Sequence, residues 1–329
     1  MNMNEWFNQT LSDVHKKPFP ILSYPGIQRL GITVRELVGS AVNQARCMKA
    51  VADEFDAAAS VALMDLSVEA EAFGCAIRVS DNEVPTVVNA AVRGDEDAER
   101  LTVPEVGAGR VGVCVEAIAR AKSLITDRPV FAGVIGPFSL AGRLMDMTEI
   151  MVKCLLEPEQ THAVLAKAAA FIRSYASALK QAGADGVVIA EPAAGLLSPA
   201  VCETFSSRYV GKIVEAVQDD AFAVVYHNCG NTLQLLPSLL GIGARAYHFG
   251  DAVDIGAVLD NMPSDVPVMG NLSPSVYFLN GTPASVTSAT RAMLKKGEGH
   301  ANYIPSSGCD IPPSTPLENI RAFFAAAAR

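Results

Sequence analysis

Apolar residues recur along the chain in two alternating patterns. Short, nearly uninterrupted apolar runs appear at Pro18–Tyr24, Ser60–Asp65, Pro129–Gly136, Gly186–Glu191, Ala221–Asn228, Ala246–Asp251, Val266–Asn271 and Ala301–Ser307. They show little polar alternation, which is the signature of strands covered on both faces. Between them lie longer stretches with apolar positions three and four apart, the period of amphipathic helices. The first is a polar, amphipathic helix at about residues 3–15. Thr33 reads as the N-cap of a helix reaching Asp53, and Val111–Leu124 reads as another. A long helical region runs to Gln181, and further helices follow Ser198-Pro199, start at Thr232, run to Asn261, span Thr282–Lys296 and begin at Pro316.

Eight strands, each followed by a helix, repeat at the period of βα units. The expected fold is α/β, a (β/α)8 barrel forming one domain over residues 1–329, with residues 1–17 as an N-terminal helical extension. The stretch Glu69–Val92 breaks the rhythm with alternation and a proline, and is expected to be a hairpin inserted after the second strand. An open doubly wound sheet would carry a Gly-rich phosphate turn after an early strand, and the sequence has none.

Composition narrows the function classes. Half of the 329 residues are hydrophobic, enough for a large core, and the net charge of -9 argues against unaided nucleic-acid binding. No apolar run approaches the ~20 residues that cross a bilayer, and the first residues lack the basic-then-apolar pattern of a signal peptide. Seven cysteines scattered through apolar segments do not form a disulfide framework, so a reducing, cytoplasmic setting is expected.

In a barrel, chemistry gathers at the carboxyl ends of the strands. Asp65, Glu191, His227, Cys229, His248, Asp251, Asn271 and Cys309 all fall at or just past such ends. His227 and Cys229 are two apart on an extended backbone and therefore share a face. An imidazole and a thiol aimed together suit a borderline or soft metal, most often zinc, and Cys309 supplies a third donor at a matching position. Three donors leave a coordination position for chemistry. Glu191 is expected to set a carboxylate near the metal, a structural cap being the alternative, and His248 to contact substrate, a hydrogen-bonded core histidine being the alternative. Cys47, Cys75, Cys114, Cys154 and Cys202 read as small core residues.

The motifs HNCGN (227–231), GNLSP (270–274) and SSGCDIPPSTPLENI (306–320), with MDLSVEAEAFG (64–74) and VIGPFSLAG (134–142), resemble the uroporphyrinogen decarboxylase superfamily. Within it they resemble the zinc-dependent methylcobalamin:thiol methyltransferases, whose known member methylates coenzyme M. The resemblance implies a TIM barrel, zinc held by His227, Cys229 and Cys309, and Glu191 in the fourth position until a thiol arrives. It implies transfer of a methyl group from methylcobalamin or a methylated corrinoid protein to a zinc-activated thiol such as coenzyme M or homocysteine. The helical cobalamin signature D-x-H-x-x-G is absent from the chain, so a separate corrinoid protein or free cofactor is expected, with residues 69–103 as a lid or docking surface. Arg143, Arg245 or the amides after Gly308 are candidates for gripping an anionic tail on the thiol. Three alternatives stand beside this: transfer from a small methylated substrate onto a corrinoid protein, a non-catalytic metal-binding protein, and tetrapyrrole decarboxylation. The decarboxylase proper uses no metal and grips propionates with paired N-terminal arginines, which FPILSYPGIQRLG (19–31) lacks.

Overall fold

The structure, a computed structural model, describes residues 1–328, the side chain of residue 95 excepted; Arg329, the last residue of the expected domain, lies outside the described residues. The strands are β1 (Ser60–Val61), β2 (Ile77–Arg78), β3 (Thr86–Val87), β4 (Val130–Ile135), β5 (Gly186–Ala190), β6 (Ala223–Asn228), β7 (Ala246–Phe249), β8 (Val268–Leu272) and β9 (Tyr303–Ser307). Seven of them form a parallel sheet in the order β1-β4-β5-β6-β7-β8-β9. This is the curled sheet of a TIM-barrel-like α/β fold, with helices outside. β2 and β3 pair antiparallel, with Ile77 opposite Val87, and form the hairpin expected after the second strand.

The expected first strand is the main departure. Residues 18–22 fill the gap between β1 and β9 but form no regular ladder. Pro18 and Pro20 have no N–H to donate, so every second ladder bond is missing there. What remains is piecemeal: Phe19 N donates to Pro305 O (2.9 Å), Ala58 N to Pro18 O (2.8 Å), Ile21 N to Ser307 Oγ (3.1 Å) and Ile311 N to Ile21 O (3.0 Å).

The helices follow local signals. Asn2 caps Met3–Ser12, shorter than the expected 3–15 because the chain turns extended at Asp13. The helix expected from Thr33 to Asp53 is two: Val34–Val38, held by a Thr33/Glu36 capping box, and Ala41–Glu54, started anew by Ser40 after Gly39. The region before Gln181 is likewise three helices, Pro137–Met145, Met147–Leu156 and Pro158–Gln181, separated at Asp146 and Glu157. No helix is long and apolar enough to cross a membrane among the described residues.

Strand parity sorts the core. Val61, Phe131, Val188, Ala190, Ala223, Val225, Ala246, Met269 and Ile304 form one buried cluster inside the barrel. Their neighbours Val187, Ile189, Val224 and Tyr226 pack outward against the helices. The inner cluster also takes in Met3 and Phe7 of the first helix, which plug the barrel at the amino ends of the strands. Met3 N fastens that helix to Asp220 O, just before β6 (2.6 Å).

Candidate metal centre

Continuing the inner rows upward leads from hydrocarbon to chemistry. On β6 the inward sequence Ala223, Val225 arrives at His227, on β7 Ala246 arrives at His248, and on β9 Ile304 arrives at Ser306. His227 and His248 sit opposite each other in the ladder. Their rings meet edge to face with centroids 4.7 Å apart.

His227, Cys229 and Cys309 converge, with one donor atom from each lying within 4.8 Å of the others; among the described residues they are the only His, Cys or carboxylate trio so grouped. The Cys309 Sγ to His227 Nε2 distance is 3.5 Å. Two tetrahedral ligands of one zinc, at ~2.3 Å for sulfur and ~2.0–2.1 Å for nitrogen, would stand about 3.5–3.6 Å apart, so the spacing fits. The imidazole is buried while both sulfurs are half-buried, which leaves the sulfur side accessible. Glycines make the approach possible. A Cβ on Gly250 would fall 2.4 Å from Cys229 Cα, and one on Gly308 would crowd Asp251 N and Oδ1 at 3.0 Å. The Asn228 carboxamide braces the turn, donating to Glu191 O (2.7 Å) and accepting from Gly230 N (2.8 Å).

The hydrogen bond from Cys309 outweighs burial and, with His227 alongside, holds Cys229 well below the usual thiol range. That same bond, then burial, pushes Cys309 up. The thiolate is the form of cysteine that binds a metal.

Glu191, expected beside the metal, points the other way. Val188 and Ala190 face inward, so Glu191 faces the helix layer. There its carboxylate accepts from Phe138 N (3.0 Å) and Ser139 N (2.5 Å) at the start of helix Pro137–Met145. Burial pushes it up to about 7 against those bonds. A Cβ at Gly136 would lie 2.3 Å from its Oε2, so the glycine makes room for it. His248, expected to contact substrate, is fully buried with both ring nitrogens engaged. Arg245, an expected anion grip, precedes β7 and stands at the amino end of the strand, away from the mouth.

Arg143 remains at the carboxyl side, half-buried on helix Pro137–Met145, and makes no hydrogen bond or ion pair with another described residue. Burial lowers its guanidinium despite the nearby charges of Glu69 and Asp65. Three acids line this side, of which the strand-end pattern marked Asp65 alone. Asp65 is ion-paired with Arg110, which also reaches Glu71 (2.7 Å) and Ser67 Oγ (2.8 Å). Glu69 accepts from Ile135 N (2.9 Å) and is pushed up to about 7 by burial. Asp310, beside Cys309, accepts from Met64 N (3.3 Å), leaves Oδ1 without a partner among the described residues and is pushed up to about 8 by burial. Their only signal in the sequence was position past a strand end.

Comparison with known proteins fits this geometry. The model of the uroporphyrinogen decarboxylase (URO-D) family matches residues 22–329. The chain is 32% identical to the methylcobamide:CoM methyltransferase MtbA of Methanosarcina acetivorans over 78% of its own length and 75% of the relative's. It is 26% identical to the uroporphyrinogen decarboxylase of Paraburkholderia phytofirmans, over 82% and 76%. Among solved structures, a methyltransferase from Methanosarcina mazei superposes with a TM-score of 0.84 at 25% identity, covering 94% of this chain and 93% of that one. The chain belongs to the uroporphyrinogen decarboxylase family, in the branch that holds the methylcobamide:CoM methyltransferases.

Proposed function

We propose that this chain is a corrinoid-dependent methyltransferase that moves a methyl group from a methylated corrinoid to a thiol, and that a zinc ion held by His227, Cys229 and Cys309 activates the thiol. The observation that carries the reading is the meeting of one imidazole nitrogen and two sulfurs within 4.8 Å at the carboxyl end of the barrel. Such a set fits an open, borderline-soft site rather than a closed structural one. The relatives named as methylcobamide:CoM methyltransferases support the reaction class.

When bound, zinc supplies a thiol deprotonated at neutral pH. The protein's part is arrangement. Cys229 and Cys309 contribute negative charge, which keeps an incoming sulfur electron-rich. His227 presents a neutral nitrogen from a buried, fixed ring. The half-buried sulfur face admits substrate from the mouth, where Arg143, without a hydrogen bond or ion pair among the described residues, offers a cation to an acidic tail such as that of coenzyme M. The corrinoid arrives on a separate protein or as free methylcobalamin.

Metal analysis of the purified protein by mass spectrometry, followed by optical monitoring of methylcobalamin demethylation with coenzyme M, homocysteine and other thiols, tests the reading. One zinc per chain and demethylation with at least one thiol are expected. A metal-free protein that decarboxylates a tetrapyrrole, or a zinc protein that methylates cob(I)alamin from small methylated donors and ignores thiols, would replace it.

A further inference from the structure

His248 has no route to substrate, yet its surroundings are specific. Its Nδ1 lies 2.8 Å from His227 Nδ1 and its Nε2 lies 2.7 Å from Ser306 Oγ. Ser306 Oγ in turn lies 2.6 Å from Phe19 O. All these groups are buried.

The order of protons along this line follows by elimination. A carbonyl only accepts, so the Ser306 hydroxyl spends its single proton on Phe19 O. Ser306 Oγ must then accept from His248 Nε2–H. A neutral His248 with its proton on Nε2 has a lone pair on Nδ1, which must accept from His227 Nδ1–H. In a neutral His227 the lone pair then sits on Nε2, the nitrogen 3.5 Å from Cys309 Sγ. Any reversal of one bond would place two protons or two lone pairs face to face among buried groups.

Resting on the reading of His227 as a metal ligand, we propose that His248 and Ser306 are positioning residues, which set the His227 tautomer so that its Nε2 lone pair faces the metal, with the Phe19 carbonyl as the terminal acceptor. The anchor explains a use for the broken first strand. Because residues 18–22 form no regular ladder, the Phe19 carbonyl is available to a side chain. Partners of a metal-bound histidine typically alter metal affinity ~10–100-fold. The effect is bounded here, since His227 Nδ1 also lies 3.2 Å from His248 O, which can take the same proton.

The experiment has two arms. Two-bond proton–nitrogen NMR on metal-free protein with labelled histidines should report His227 as the Nδ1–H tautomer and His248 as the Nε2–H tautomer. His227 found as Nε2–H would overturn the proposal. Zinc affinity, measured by chelator competition, should fall roughly 10–100-fold in Ser306→Ala and recover in Ser306→Thr, which keeps the hydroxyl. Equal losses in both variants, or none in Ser306→Ala, would also overturn it. Failure of the ligand assignment looks different: Cys309→Ser would then keep stoichiometric zinc, while the NMR arm still reads the proton order.

Discussion

The two ends of one barrel interior make opposite use of the same geometry. At the amino end the inward rows hold Ala223, Val225, Ala246 and Ile304, closed by Met3 and Phe7. Two residues further along the same strands, the rows hold His227, His248 and Ser306, and the loops beyond add Cys229 and Cys309. The lower end is sealed by area removed from water, which is indifferent to direction. The upper end depends on individual hydrogen bonds and donor spacings, each with one tolerated arrangement. The lower end should therefore answer for stability and the upper end for metal and chemistry, with little crossover.

The largest effect should come from the upper end. Cys229→Ser or Cys309→Ser removes one of three donors and should weaken zinc binding on the order of 10³-fold, about 4 kcal/mol, and abolish methyl transfer. Metal stoichiometry after dialysis and the methylcobalamin assay read this; wild-type zinc in either variant would break the division. At the lower end, Phe7→Ala should cost about 3–5 kcal/mol in chemical denaturation while zinc affinity stays unchanged. A fall in affinity there would show that the ends are coupled.

Glu191 sharpens the contrast, because it stands at the upper end yet belongs to the helix layer. Burial raises it from 4.5 to about 7. The unfolded chain therefore ionises it first, and the fold loses stability as pH rises from about 4.5 to 7, by on the order of 3 kcal/mol. Glu191→Gln should flatten that stretch of the stability profile, read by denaturation at several pH values, and leave zinc affinity alone; lost zinc would restore it to the metal centre. The smallest change expected is Thr33→Ala, which opens the capping box of a five-residue helix that supplies no donor to the site. It should cost about 1 kcal/mol and nothing in activity.

Much of this was legible in the residues. The spacing of apolar runs carries the α/β barrel, and the i, i+2 relation of His227 and Cys229, with a distant Cys309 at a matching strand end, carries the meeting of the three side chains. The misses share a cause. Pro18 and Pro20 sit in a run with the hydropathy of a strand, but hydropathy does not register a missing N–H. Glu191 lies one position past the inward Ala190, and its chemistry suits either face. His248 and Ser306 are 58 positions apart in the chain and become partners only when β7, β8 and β9 stand in register.

The sequence by itself determined the periodicities: the alternation of strand-like and helix-like segments, and which residues on one strand share a face. These are local consequences of backbone geometry. Only the tertiary structure decided which of the two faces is the interior, because that depends on what the neighbouring strands and helices bring to each side. It sent Glu191 to a helix terminus, closed the barrel with a segment short of donors, and lined up a carbonyl, a hydroxyl and two imidazoles. The direction of that line follows from the acceptor at its far end, Phe19, which no local pattern around His227 contains.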